Sequence, residues 1–109
     1  TDLKLYVNGS LVGTTTGVPA TMKTNTTGKD RISGYGSHYF GGQVDEIALW
    51  TTALSATDIS NIYNSGNGAV DLSSYNPVSW WRMEEGTGTT VGSRPLTLYN
   101  GATFSTETP

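Results

Sequence analysis

The sequence of 109 residues contains no cysteine, which excludes disulfide bonds, thiolate catalysis and zinc–thiolate sites together. It contains a single histidine, His38, so no cluster of histidines can bind zinc. A catalytic triad would have to use that one imidazole, yet there is no Gly-x-Ser-x-Gly motif to present a nucleophilic serine. We therefore expect His38 to lie in an exposed loop without a catalytic role.

Charged residues are scarce as well, at 14% of the chain, and the formal net charge is −3. The six Lys and Arg residues are scattered and form no stripe, which argues against nucleic acid as a partner. No apolar run approaches the roughly 18 residues of a transmembrane helix, and no signal peptide is visible. Because the chain begins at Thr1 without Met, inside a predicted strand, we expect it to be a piece of a longer protein.

Glycine, threonine and aromatic residues are abundant, with 14 Gly, six Tyr, three Trp and two Phe. Threonine and aromatic side chains favour the half-buried surface of a sheet, and glycine favours turns. The alternation in Leu3–Val7 predicts a strand with one buried side. Asn8-Gly9 follows directly and is the strongest short-range signal of a hairpin. These features predict a single all-β domain.

The best strand in the sequence is Val44–Trp50, which places Glu46, Ala48 and Trp50 on one face. Both of its faces carry apolar residues, so we expect a central position. Val78–Met83 predicts another strand, and we expect Trp50 and either Trp80 or Trp81 to lie in the core. Shorter strands are predicted at Ala20–Lys23, Leu96–Tyr99 and Ala102–Ser105, the last two forming a hairpin.

Leu54–Ser65 is the segment that predicts a helix. Ser55 suits the N-cap, and Asp58 three residues later completes a capping-box pattern. Asn64-Ser65-Gly66 ends the apolar stripe, so the helix has only two to three turns. A helix this short must be held by docking onto the rest of the protein.

The hairpin and the segments around the central strand together carry a family resemblance. Lys4-Leu5-Tyr6-Val7-Asn8-Gly9 is similar to the "lYvNG" hairpin of laminin-G-like, concanavalin-type domains. Phe40–Ile47, followed by Trp50, Ala53-Leu54-Ser55 and Ile59–Tyr63, resembles their closing strand and short helix. The resemblance covers residues 3–66 and implies an antiparallel jelly-roll β-sandwich with one short helix. Four short segments are also similar to repeats in structural proteins of marine bacteriophages: Ile62–Gly66, Tyr75–Pro77, Trp80–Met83 and Phe104–Pro109.

The rest of the chain resembles the beginning of such a domain. Val78–Gly88 is similar to the first strand of the family, and Leu98–Ala102 to the second. The usual D-S-S-G-N stretch and the middle strands are absent. We divide the chain into residues 1–66, the closing half of a sandwich, residues 67–77, a linker or loop, and residues 78–109. The last part holds opening strands either of the same sandwich, then shortened and permuted, or of a following module.

In this family the first strand lies near the last, so residues 78–83 are expected to pair beside residues 44–50 if the unit is permuted. We favour that arrangement over two tandem modules. A structure tests directly whether residues 78–83 pair with residues 44–50.

Catalysis requires a separate test, because concanavalin-like folds include glycan hydrolases. Retaining hydrolysis needs two carboxyl groups about 5 Å apart. The acids here come as adjacent pairs, Asp45-Glu46 and Glu84-Glu85, and neighbours on a strand point to opposite faces. A cross-strand pair of Glu46 with Glu84 stays open, as does an ion pair of Glu46 with a base such as Arg82. We predict that the protein is not an enzyme.

Binding is the remaining chemistry, and its assignment follows family analogy. The tyrosines predicted to stack on sugar rings are Tyr35, Tyr39 and Tyr75. No cofactor is predicted apart from calcium, which takes carboxylate and amide oxygens from loops. Its candidate ligands are Asn25, Asp30 and Asp45. For Asp45 the alternative, which we favour, is an inward carboxylate that binds loop amides beside the first strand.

The resemblance implies a non-enzymatic structural or adhesion module of a phage virion surface protein (decoration, fibre or tail), with glycan binding as a further role. The expected partners are neighbouring protein subunits or modules in an oligomer, and cell-surface glycan, with no nucleic acid and no membrane insertion. The expected location is the virion or the extracellular space. The alternative is a carbohydrate-binding accessory module of a secreted bacterial glycan-active enzyme.

Overall fold

The computed structural model describes residues 1–21, 31–32, 34, 36–84, 90–91, 96–98 and 101–105. Within these ranges there are six short strands, one helix and two 3-10 turns. The elements are β1 Leu3–Val7, β2 Ser10–Thr15, β3 Ile47–Leu49, α1 Ala56–Tyr63, β4 Ser79–Trp81, β5 Thr90–Val91 and β6 Leu96–Thr97, with 3-10 turns at Asn64–Gly66 and Ser73–Tyr75.

The strands form three antiparallel pairs, β1–β2, β3–β4 and β5–β6. The predicted antiparallel all-β class with one short helix is therefore confirmed. The described residues show three strand pairs of the predicted jelly roll and not its complete set of strands. No helix within the described ranges is long and apolar enough to cross a membrane.

The β1–β2 hairpin turns at the predicted Asn8-Gly9 pair. Asn8 has a φ of 51° and Gly9 a φ of 75°, and positive φ at both positions is what a type I′ turn requires. Leu5 pairs with Gly13 and Tyr6 with Leu11. This register leaves Val12 as an extra residue, and the resulting bulge bends the hairpin.

Helix α1 begins and ends where the capping residues indicate. The hydroxyl oxygen of Ser55 accepts the backbone N–H of Asp58 at 3.0 Å. At the other end Asn64 adopts a left-handed conformation with a φ of 54°, which stops the helix. The ring of Tyr63, in the last turn of α1, lies against Gly9, so the helix docks on the tip of the hairpin.

The expected pairing between residues 44–50 and 78–83 is present over three residues of each strand. Ala48 lies opposite Trp80, and Leu49 lies opposite Ser79. Both strands are shorter than the sequence predicts, because Glu46 has a φ of 51° and Met83 a φ of 58°. The backbone therefore leaves the extended region before β3 and after β4. The division of the chain into residues 1–66, 67–77 and 78–109 remains a prediction.

The segment between α1 and β4 is packed against the β3–β4 pair. It contains Leu72, the buried hydrophobic residue of the described part. The indole N–H of Trp50 donates to the carbonyl oxygen of Tyr75 at 2.8 Å. The carboxylate of Asp71 accepts the hydroxyl and the backbone N–H of Ser73, and these hydrogen bonds lower the pKa of Asp71.

The expectation that Trp50 and one tryptophan of β4 are core residues is wrong. Trp50, Trp80 and Trp81 are all half-buried. A two-stranded sheet can cover a large ring on one side only unless a second layer packs on it.

The predicted hairpin of residues 96–99 and 102–105 is also not formed. Leu96–Thr97 pairs instead with Thr90–Val91, for which the sequence predicts no strand. Residues 102–105 form no strand, and Ser105 accepts a hydrogen bond from the side chain of Gln43 at 3.0 Å. Of the predicted strand Ala20–Lys23, residues 22 and 23 lie outside the described residues.

Replacing Gly9 by alanine should destabilise the protein through two effects. The left-handed conformation costs a residue with a side chain about 1–2 kcal/mol. The new Cβ would also stand 2.8 Å from Cδ1 of Tyr63, so that the ring must move. We expect urea unfolding to show a loss of at least about 1 kcal/mol.

Gly13→Ala is the matched control, because a Cβ there meets nothing within 4 Å. Its stability should change little, or increase by up to about 1 kcal/mol. Equal losses in the two variants would contradict the proposed docking of Tyr63 on the turn.

Candidate functional site

Four side chains gather at one end of the β3–β4 pair, and we call them the Trp80 cluster: Glu46, Trp80, Arg82 and Glu84. Ala48 lies opposite Trp80, Glu46 directly precedes β3, and Arg82 directly follows β4. The antiparallel pairing of the two strands thus brings an acid, an aromatic ring and a base together at one end of the pair.

Glu46 is the centre of the Trp80 cluster. Its Oε2 accepts the indole N–H of Trp80 at 2.5 Å, and its Oε1 lies 3.7 Å from Nε of Arg82. The guanidinium carbon of Arg82 stands 5.0 Å from the centroid of the Trp80 ring, within cation–π range. A second carboxylate, that of Glu84, lies 2.6 Å from Nη2 of Arg82. The ion pair expected between Glu46 and Arg82 is therefore present.

The partners differ in how much they contribute to stability. The side chain of Glu46 is 18% exposed, whereas those of Arg82 and Glu84 are more than half exposed. An exposed ion pair contributes only about 0–1 kcal/mol, but a hydrogen bond to a charged group contributes about 1.5–3 kcal/mol. The bond from Trp80 to Glu46 is thus the strongest in the cluster, and the arrangement joins two strands.

The predicted glycan-binding tyrosines have different environments. The side chain of Tyr39 is exposed, at 61%. Tyr75 is half-buried and belongs to the packed segment that Trp50 contacts. Tyr35 lies outside the described residues. Of the two predicted tyrosines that the structure describes, Tyr39 is therefore the more exposed.

The aromatic residue that sequence reasoning missed is Phe40, which is exposed to the same extent as Tyr39. A Cβ built on Gly34 would lie 3.6 Å from the Tyr39 ring, and one built on Gly42 would lie 2.9 Å from the Phe40 ring. Two consecutive rings thus rest beside glycines, and we call Gly34 together with residues 36–42 the aromatic loop. The sequence signal was the pair Tyr39-Phe40 followed directly by two glycines.

The predicted calcium ligands receive only a partial description. Asp45 is exposed, and its Oδ1 accepts the backbone N–H of the next residue, Glu46, at 3.0 Å. It is therefore not an inward carboxylate, although it does bind one amide. Asn25 and Asp30 lie outside the described residues, so the calcium site stays a prediction. In the part of the chain that the structure describes, no three acidic or histidine side chains are grouped to hold a metal, and His38 is exposed.

Antiparallel strand pairs, a capped short helix and exposed aromatic rings are features of a lectin-type β-sandwich module. A family model described as the concanavalin A-like lectin/glucanases superfamily matches residues 1–60, more than half of the 109 residues. The chain therefore belongs to this superfamily, as a laminin-G-like domain. No curated protein and no solved structure matches it.

The range of the family match has a structural consequence. It ends inside α1, whereas β4 and the Trp80 and Arg82 side chains lie beyond residue 60. Glu46 thus links the matched part of the chain to a strand outside it. Laminin-G-like domains of this superfamily are typically binding modules. The aromatic loop lies within the matched range.

Removing the Glu46 carboxylate should destabilise the β3–β4 pair. We expect Glu46→Ala to lower the free energy of unfolding by about 1–3 kcal/mol, because the half-buried indole N–H of Trp80 loses its acceptor. The indole N–H resonance of Trp80 should also shift in NMR spectra. Glu46→Gln retains an acceptor oxygen and should show a smaller loss.

Glu84→Gln is the control, because it removes an exposed carboxylate charge that pairs with the same Arg82 guanidinium. Its cost should stay below about 1 kcal/mol. If Glu84→Gln destabilised the protein as much as Glu46→Ala, the central place of Glu46 in the cluster would be wrong.

Proposed function

We propose that this protein is a non-enzymatic adhesion module that binds glycan through its aromatic loop. The observation that carries the proposal is the 61% exposure of Tyr39, next to an equally exposed Phe40. Contiguous exposed apolar patches mark interaction sites, and aromatic rings contribute large contact areas to them. A sugar ring offers an apolar face of matching size with hydroxyl groups at its edge. Membership of a superfamily that includes lectins supports this choice of ligand.

The state of the carboxylates supports the absence of catalysis. Glu46 and Glu84 are the cross-strand pair that a hydrolase would need, and both contact Arg82. Glu46 also accepts the Trp80 indole N–H. Glu46, the less exposed of the two, thus has protein partners on both of its oxygens. We therefore interpret the pair as a structural element of the β3–β4 sheet.

The wider setting of the proposal is a surface protein of a virion, or another extracellular protein, in which the module contacts neighbouring subunits. The weakly charged, cysteine-free and Thr/Gly-rich sequence supports such a setting. A carbohydrate-binding accessory module of a secreted glycan-active enzyme is the second candidate, and the same exposed rings favour it. Preference for a soluble polysaccharide over cell-surface glycans would favour that candidate.

Tyr39 provides the direct test. The purified chain is screened on a glycan array, and the strongest ligand is titrated by NMR or calorimetry against the variants. Tyr39→Ala should weaken binding at least about tenfold, which corresponds to roughly 1.4 kcal/mol. Tyr39→Phe keeps the ring and should stay within about threefold of the original affinity.

Leu49→Ala serves as a control, because Leu49 is an exposed apolar residue on β3 outside the aromatic loop. Its affinity for the glycan should equal that of the original protein. A chain that binds no glycan, or a Tyr39→Ala variant that binds normally, would rule out the aromatic loop as a glycan site.

A further inference from the structure

The β1–β2 hairpin has an apolar face that the rest of the described chain does not cover. Alternation places Leu3, Leu5 and Val7 on one face of β1. These residues are 64%, 61% and 51% exposed. An alternating strand normally buries such a row, and contiguous exposed apolar patches mark interaction sites.

The same face has a shape that can match itself. The residues of β2 that lie opposite the apolar row are small: Thr15, Gly13 and Ser10. A Cβ added to Gly13 would meet nothing within 4 Å. We call these six residues the hairpin face. It consists of an aliphatic ridge on β1 beside a shallow groove on β2.

We propose that the hairpin face binds the hairpin face of a second copy of this chain, related by a two-fold axis. In a two-fold contact the same patch serves on both partners, so the ridge of one copy can lie in the groove of the other. The two hairpins then form a two-layer sandwich with the usual spacing of about 10 Å between sheets. Each copy supplies the layer that the other lacks.

The charge pattern is consistent with a second copy as the partner. None of the six residues of the hairpin face is charged, and Lys4 lies on the opposite face of β1. Two chains with a formal net charge of −3 each can therefore meet here without burying a charge or placing like charges in contact.

The size of the face predicts a weak contact. Five residues at about 3.4 Å each and two strands about 4.8 Å apart give a face on the order of 17 by 10 Å. A stable interface buries roughly 800 Å² per partner. We therefore expect a dissociation constant on the order of 10⁻⁴ M, which becomes effective when copies are held close together in one assembly.

Sedimentation equilibrium of the chain between about 10 µM and 1 mM tests this proposal. We expect a monomer–dimer equilibrium that Leu5→Ser weakens at least about tenfold. Leu11→Ser is the matched control, because Leu11 is exposed but pairs with Tyr6 on the opposite face of the hairpin. It should dimerise within about twofold of the original protein. Far-UV circular dichroism verifies that both variants are folded.

Isotope-filtered NOEs in a mixed labelled and unlabelled sample locate the contact. Intermolecular NOEs between the Leu5 methyl groups and Gly13 of the other copy would support the proposal. A chain that stays monomeric to 1 mM, an equal effect of Leu11→Ser, or intermolecular NOEs only from other surfaces would overturn it. Leu5→Ser should still bind glycan, and Tyr39→Ala should still dimerise. Measuring both properties in both variants therefore shows which of the two proposals fails.

Discussion

The centre of this structure depends on the hydrogen bond that the carboxylate of Glu46 accepts from Trp80. The carboxylate accepts the Trp80 indole N–H at 2.5 Å and lies beside Arg82, so it links the two strands in the register that places Ala48 opposite Trp80. It sits where the backbone turns out of the extended region, with a φ of 51°. The strand pair then carries Trp50, whose hydrogen bond to Tyr75 holds the segment that contains buried Leu72.

This arrangement places the two candidate binding surfaces on separate parts of the chain. The aromatic loop precedes β3 directly, and the hairpin face lies at the beginning of the chain. One offers rings suited to a sugar, and the other offers an uncharged aliphatic ridge suited to another sheet. The two surfaces together fit an adhesion module that both contacts a ligand and packs against its neighbours.

Local signals in the sequence predicted the local structure well. Asn8-Gly9 specifies its turn through backbone conformation alone, and Ser55 specifies the beginning of α1 through one hydrogen bond to Asp58. Alternation also predicted that Glu46 and Ala48 share a face, and in the structure the Glu46 carboxylate contacts Trp80, which lies opposite Ala48. These features depend on residues within a few positions of one another.

The predictions that were wrong concern features that depend on contacts between distant residues. Glu46 stands just before β3 with a positive φ, and its carboxylate accepts a hydrogen bond from Trp80, 34 residues away. No local pattern signals either feature. Leu96–Thr97 pairs with residues 90–91 rather than 102–105, a choice between neighbours of similar composition. The exposure of Phe40 and the half-burial of Trp50, Trp80 and Trp81 are decided by which layer covers them, which the sequence of a single strand does not reveal.

The central claim is that β4, outside the matched family range, completes a sheet with β3, inside it. NOE spectroscopy of the isotopically labelled chain, combined with amide hydrogen exchange, tests this most directly. We predict cross-strand NOEs between Ala48 and Trp80, together with slow exchange of the Trp80 indole N–H. Absence of these NOEs, with an indole N–H that exchanges as fast as in a free peptide, would contradict the pairing and the place of Glu46 in it.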